Sequence, residues 1–550
     1  MAYNLTSIAV FIALLVPLAY ATVQRYYQKS GFKLPPGPPA KLMVGNILHV
    51  PRSGAWHIFT EWYRSYGDLV YLHGLGNKVL VVNDIQAVNE LFEKRWSLYS
   101  HRPIFTVVGE LMGLDQSLAL MPYGEEWRES RKLIHIALNP GAVKKYYGVQ
   151  EDIAALLNKD LLDSPNDFMQ HLRLMAGRIV LLVTYGIFAK NMQNQYIADA
   201  EECMGIIDRV MIPGAFLADL IPALKYLPSW VPFQKEVEYG KRVLDKTVQL
   251  PYLYVKEVFS EKIAPPSLTK DLLSLGKTDP QFNHRAMWAT STMYAAYQTF
   301  ATTATFILAM ALNIDVQKRA QAEIDEVLGS DHSPTILDAP KLPYTMAVIK
   351  ETMRWYPVVP LSIPRRTAED DIFKGCFIPK NTIVIPNFWA ISRNTNDPER
   401  FNPDRFLKQD RSGLIPDPSE WAFGTGRRKC PGRYLGENSL IAVITGILFA
   451  FDIRPLEDEP IEPKFTPTNV SHPEPFKCII QPRSQEKRDF INTRAAAVQM
   501  TEPDVEQCKE RDHLGKIGPV GPMRSKKIAE VGFAQMEMER MHDRQEVIET

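Results

Sequence analysis

The sequence predicts a mainly α domain with a minor β part, and three observations carry that prediction. Residues 316–328 (VQKRAQAEIDEVL) set Val316, Ala320, Ile324 and Val327 on one apolar stripe with charges opposite. Leu440 to Phe451 is apolar nearly all round, the pattern of a helix buried on every side. Strand-like pieces are short and few (Leu69 to Leu72, Lys78 to Val82, Thr382 to Pro386), and the absence of βαβ alternation argues against a doubly wound sheet.

Taken from the amino end, Met1 to Gln24 carries no charge, and Leu5 to Val23 just reaches the length a membrane-spanning helix needs, about 20 residues. Pro17 is tolerated there as a kink. Arg25, Lys29 and Lys33 follow the apolar run and none precedes it, so the positive-inside rule puts the rest of the chain in the cytosol. The competing reading is a cleaved signal peptide, with Ala19-Tyr20-Ala21 as a small-x-small site. Asn4-Leu5-Thr6 is a sequon that an anchored chain would present to the lumen. Residues 1–33 thus read as an anchor, with a spanning helix over about 5–23. Leu34-Pro35-Pro36-Gly37-Pro38-Pro39 cannot be helix and reads as a stiff spacer that orients a domain against the membrane.

Residues 34–484 read as one large domain. Residues 485–550 are polar and charged, with Phe490 and Phe533 as their aromatics, and read as a mobile tail without a packed core. The 63 basic and 63 acidic residues cancel, so no global charge advertises a nucleic-acid surface. Forty-one prolines do not gather into one low-complexity block, which excludes wholesale disorder. Five cysteines, at 203, 376, 430, 478 and 508, make neither a disulfide framework nor a zinc pattern, and at least one is unpaired.

Cys430 is the one with telling neighbours. It sits in Trp421-Ala422-Phe423-Gly424-Thr425-Gly426-Arg427-Arg428-Lys429-Cys430-Pro431-Gly432-Arg433. Gly424, Gly426 and Gly432 allow a tight fold and close approach to a flat ligand. Arg427, Arg428, Lys429 and a helix start just beyond are expected to favour the thiolate. A single thiolate can serve as axial ligand to haem iron.

Phe423-x-x-Gly426-x-Arg428-x-Cys430-x-Gly432 resembles the haem loop of the cytochrome P450 monooxygenases, with every fixed position filled. Lys350-Glu351-Thr352-Met353-Arg354 looks like that family's ExxR helix, and Asn402-Pro403-Asp404-Arg405-Phe406 like its later arginine motif. Taken alone, Glu351 and Arg354 would be a surface pair worth tenths of a kcal/mol. The resemblance implies instead a buried structural triad of Glu351, Arg354 and Arg405. Trp127-Arg128-Glu129-Ser130-Arg131 looks like the WxxxR helix, whose Trp and Arg reach a haem propionate. Arg428 and Arg365 match further propionate contacts, with Arg102 a weaker one. The cofactor set implied is Trp127, Arg131, Arg365, Phe423, Arg428, Cys430 and Gly432, with Cys430 on the metal.

The resemblance implies the cytochrome P450 fold over about 34–484 and, after the anchor, a single-pass protein of the endoplasmic reticulum with a cytosolic catalytic domain. It implies an oxidoreductase that splits O₂, oxidises an apolar organic substrate, and takes NADPH electrons through a membrane-bound reductase. The overall likeness is to fungal members acting in secondary metabolism or on xenobiotics. A haem-thiolate isomerase or dehydratase needing no O₂, and a non-enzymatic haem- or sterol-binding protein, are the alternatives. Distal-pocket contacts are expected from Phe105 to Met121, Tyr294 to Thr302, Val358 to Ile363 and Thr466 to Val470. In Tyr294-Ala295-Ala296-Tyr297-Gln298-Thr299-Phe300 the chain departs from the family's acid–threonine pair. By one register Gln298 takes the acid position and Thr299 the alcohol; counted without gaps, Tyr297 and Gln298 take them. Both lack the carboxylate. Gln298 and Thr299 are the catalytic candidates.

Overall fold

The computed structural model describes residues 33–498, apart from 42–44, 213–214, 278, 295–297, 330–331 and 408–415. The anchor expected over 5–23, the sequon at Asn4 and the tail beyond 498 lie outside the described residues.

Helices dominate. The core forms where Tyr147–Asp163, Phe168–Tyr185, Gln298–Leu312 and Arg433–Ala450 pack together. From Phe300 to Ala311 every residue is buried, because this helix is covered on all sides. Residues Pro280–Leu312 are long and apolar enough to cross a membrane, but 80% of the apolar window is buried inside the domain, so this is core. The expected all-round apolar helix is the carboxyl half of Arg433–Ala450; Phe451 already belongs to the next strand, Phe451–Arg454.

The β part is small, as expected. Leu69–Gly74 pairs antiparallel with Asn77–Val82, which pairs parallel with Ile383–Pro386, and Arg365–Arg366 closes that sheet on the far side. Two hairpin-like pairs, Asp371–Phe373 with Cys376–Ile378 and Phe451–Arg454 with Ile479–Pro482, stand apart. The sheet matters for the site because its register seats Arg365 opposite Val384. The proline-rich segment is extended and docked on this sheet: Tyr71 N–H donates to the Pro36 carbonyl at 2.7 Å. A side chain at Gly37 would meet the Tyr71 carbonyl oxygen at 2.1 Å, so only glycine fits that approach.

Two expectations are corrected. In Ile314–Leu328, Val316, Ala320 and Ile324 are buried, but Val327 is 43% exposed. The buried face is turned toward Gln317 and Gln321, whose amides donate to the Ile453 carbonyl at 2.7 Å and the Phe451 carbonyl at 2.9 Å. A polar residue that satisfies a strand's backbone is invisible to an apolar-stripe count.

The second correction moves the domain boundary past 484. Gln485–Ala496 is a helix, capped by Ser484, whose hydroxyl accepts from the Lys487 N–H at 3.2 Å. Ile491 is buried in the main core, Phe490 meets Phe449 edge-on at 5.3 Å, and Arg494 pairs with Asp152 at 2.5 Å. Averaging composition over a long polar stretch hid two apolar residues that suffice to dock one short helix. Ile491→Ala should therefore cost about 2 kcal/mol, the low end for emptying a core site. Chemical denaturation reads this, and an unmoved midpoint would show that the helix adds nothing to the domain.

Candidate active site

The Cys430 loop is folded by its glycines. Gly424 and Gly426 hold positive φ, +77° and +58°, which side-chained residues rarely adopt. Gly432 does not; its φ is −86°, so the tight-turn reason expected for it fails there. A Cβ there would lie 3.8 Å from the Cys430 sulfur, an ordinary contact, so neither backbone nor space demands glycine at 432. Cys430 N–H donates to the Phe423 carbonyl at 2.8 Å, closing the loop, and the helix Arg433–Ala450 starts directly after Gly432.

The thiol's electrostatics differ from expectation. Burial, the largest influence, pushes Cys430 up, while the Gly432 backbone N–H, Arg131 and Arg433 pull it down. The residue is half-buried, yet the protein packed round its sulfur leaves it poorly solvated. Arg427 and Arg428 are engaged elsewhere. The Arg427 guanidinium lies over Trp96 at 4.5 Å, and Arg428 donates to the carbonyls of Ser100 (2.8 Å), Leu118 (3.3 Å) and Met121 (2.7 Å).

Trp127 and Arg131 share one face of Glu125–Leu138. Trp127 Nε1 donates to the Leu118 carbonyl at 3.2 Å, and Arg131 Nη2 donates to the Lys429 carbonyl at 2.7 Å, next to the cysteine. Arg102 is spent on the carbonyls of Ala119, Ile363 and Pro364. Arg365 is different. Its Nη2 donates to Thr425, while Nε and Nη1 are buried with no hydrogen-bond partner.

These guanidiniums crowd one another. Burial and then Arg102 push Arg365 well below its ordinary value. Burial, Arg102 and Arg365 bring Arg428 down to about 7. Nearby His101 is lowered to about 4 by burial, Arg366 and Arg428. A buried cation with unmatched donors is costly unless an anion meets it. The residues present therefore fit a cofactor that carries carboxylates, and Arg365 is the side chain with donors to spare. Arg428 and Arg102 serve first as staples of the surrounding backbone.

A cleft runs between the helix Gln298–Leu312 and the cysteine loop. Gln298, Thr299 and Thr302 line it from the distal helix, Val358 and Val359 from another wall, and Phe423 from the loop. None of its lining residues is ionisable. Gln298 and Thr299 are thus brought together with the loop; Phe105 to Met121 and Thr466 to Val470 are not part of this lining. Tyr297, the acid position of the gapless register, lies outside the described residues. Sequence reading missed Phe388 and Trp421, which also line the cleft; as apolar residues they carried no signal apart from core packing.

Behind the loop, Glu351 and Arg354 are fully buried and paired at 2.8 Å, with Arg405 at 3.4 Å from the same carboxylate. The surface-pair reading is overturned and the buried triad is present.

The comparisons agree with this geometry. The family described as Cytochrome P450 matches residues 35–480. Cytochrome P450 monooxygenase COX2 of Coprinopsis cinerea is 37% identical over 86% of this chain and 93% of its own length. Cytochrome P450 monooxygenase 226 of Postia placenta is 36% identical over 87% of this chain and 94% of its own. A third relative, from Armillaria gallica, is 35% identical over 84% and 94%. With a glycine-folded cysteine loop, a WxxxR helix beside it, a buried Glu–Arg–Arg triad behind it and these relatives, the chain belongs to the cytochrome P450 family of haem-dependent monooxygenases, which are oxidoreductases.

Proposed function

We propose that this chain is a membrane-anchored monooxygenase that oxidises an apolar organic substrate in fungal secondary metabolism or xenobiotic turnover, with NADPH electrons delivered by a reductase at the endoplasmic reticulum. The observation that supports an apolar substrate is the cleft between Gln298–Leu312 and the cysteine loop, which the cofactor and the substrate would share and whose lining holds no ionisable side chain. The relatives are fungal, which supports the setting. Exposed Leu217, Tyr226 and Trp230, at 65%, 81% and 73%, give the domain an apolar surface fit for lipid.

Thiolate-held haem supplies the cleavage of O₂ and the insertion of one oxygen atom. Cys430 ligates the iron. Arg365 and Arg131 hold the cofactor's carboxylates, with Trp127 fixing the Arg131 helix and Arg428 fixing the backbone around them. Phe423 forms part of the cleft wall. From the cleft wall Thr299 and Gln298 would hold water by hydrogen bonds. Gln298 cannot act as an acid.

With no carboxylate at that position, turnover is expected to be poorly coupled, losing reduced oxygen as peroxide. A positioned acid typically contributes about 10²–10⁴-fold. With reductase, NADPH and an apolar substrate, peroxide per NADPH should be high in the wild type, little changed by Thr299→Ala, and lowered by Gln298→Asp. Tight coupling that collapses in Thr299→Ala would leave an ordinary threonine relay standing. Turnover without NADPH would instead support an isomerase, and no turnover at all a binding protein.

A further inference from the structure

A π-helical turn, Glu90–Lys94, reaches the cysteine loop from far back in the chain. Gly426 N–H donates to Glu93 Oε1 at 2.6 Å. Next to it, the Phe92 ring lies 4.0 Å from the Arg365 guanidinium carbon. The Phe92 carbonyl oxygen would sit 2.1 Å from any Cβ at Gly426, so the turn and the loop are in backbone contact. One turn therefore touches both the loop that carries Cys430 and the arginine with unmatched donors. Wide helical turns of this kind recur at functional sites.

The charges point the same way. Arg102, Arg365 and Arg428 oppose one another, and Glu93 is the carboxylate that acts on Arg365 in the opposite sense. Glu90, the other acid of the turn, is engaged with Lys94 at 2.8 Å and Arg95 at 3.7 Å. Glu93 itself is exposed, so removing its side chain empties no core site. A carboxylate accepting a backbone N–H is among the stronger hydrogen bonds. Here the N–H belongs to a glycine already held at positive φ, so the bond fixes a conformation rather than merely decorating it.

We propose that Glu93 is a positioning residue for the haem cofactor, its carboxylate clamping the Gly426 N–H and balancing Arg365, so that loop and arginine are set relative to each other where the cofactor's carboxylate binds. This rests on the reading of residues 423–432 as the haem loop. Glu93 touches neither iron nor substrate; it acts through Gly426 and Arg365.

The test is haem transfer from the full-length, haem-loaded protein to excess apomyoglobin, followed by absorbance. Outer-shell partners of a metal site are typically worth about 10–100-fold in affinity. Glu93→Ala should release haem about tenfold faster, with unchanged far-UV circular dichroism. Glu93→Gln, which keeps an acceptor oxygen but loses the charge, should fall between it and the wild type. Lys94→Ala, on the same turn and exposed, should match the wild type. Release from Glu93→Ala at the wild-type rate overturns the inference, as does equal acceleration by Lys94→Ala. If the wild-type chain takes up no haem, the reading of the loop fails and the inference with it.

Discussion

Cys430→Ala should abolish the thiolate signature of the reduced carbon-monoxide complex and strip haem from the purified protein. The sulfur's place is overdetermined: Cys430 N–H is held by the Phe423 carbonyl at 2.8 Å, and Gly424 and Gly426 hold the positive φ angles the loop needs. Burial pushes the free thiol up, against the pull of the Gly432 N–H, Arg131 and Arg433. A buried thiol is a poor nucleophile, and metal binding must displace its proton. Outer-shell partners alone are worth about 10–100-fold in metal affinity, so loss of the ligand should exceed about a hundredfold. The checks are the haem-to-protein ratio and the carbon-monoxide difference spectrum. A variant that keeps the thiolate signal would remove Cys430 from the iron.

How far the site was legible in the sequence follows from how local each part is. The cysteine loop lies within thirteen consecutive residues, and Gly424, Gly426 and the helix after the cysteine follow the pattern, while Gly432 adopts an ordinary backbone. Trp127 and Arg131 were legible because four residues make one helical face. The roles of the arginines were not. Arg428 matches its motif, yet the structure commits it to three carbonyls, because backbone from residues 100 to 121 folds over it. Arg365 was legible only through the family resemblance, because the strand pairing with Val384 that seats it is announced by no local pattern. Glu93 and Gly426 are 333 positions apart, and nothing in a run of EKR marks that glutamate out. Gln485–Ala496 was lost to averaging, since its large apolar residues are just two neighbours, Phe490 and Ile491.

Glu351→Gln should cost about 3–5 kcal/mol, the range for leaving a buried ionic partner uncompensated. Arg354 meets Glu351 through two bonds of 2.8 Å, both side chains being fully buried. Set against a typical total stability of about 5–15 kcal/mol, such a loss is a large fraction of the whole. The pair does more than neutralise itself. Arg354 also donates to the carbonyls of Pro398 (2.7 Å), Ser392 (3.3 Å) and Arg400 (3.4 Å). Arg405 takes those of Asn396 (2.5 Å) and Asp397 (2.6 Å), and Glu351 accepts the Asn402 N–H at 2.7 Å. Residues 392–402 contain little regular structure to satisfy these groups, so the triad substitutes for a ladder. That distinction decides a second experiment. If the pair were only a matched couple, replacing both members with Met would restore most of the stability, as hydrophobic replacements of buried pairs often do. If the carbonyls are what Arg354 serves, the double variant should stay about as unstable as Glu351→Gln, because each abandoned carbonyl costs about 1–3 kcal/mol. Urea midpoints of the haem-loaded single and double variants separate the two, and recovery in the double variant would defeat the backbone-capture account.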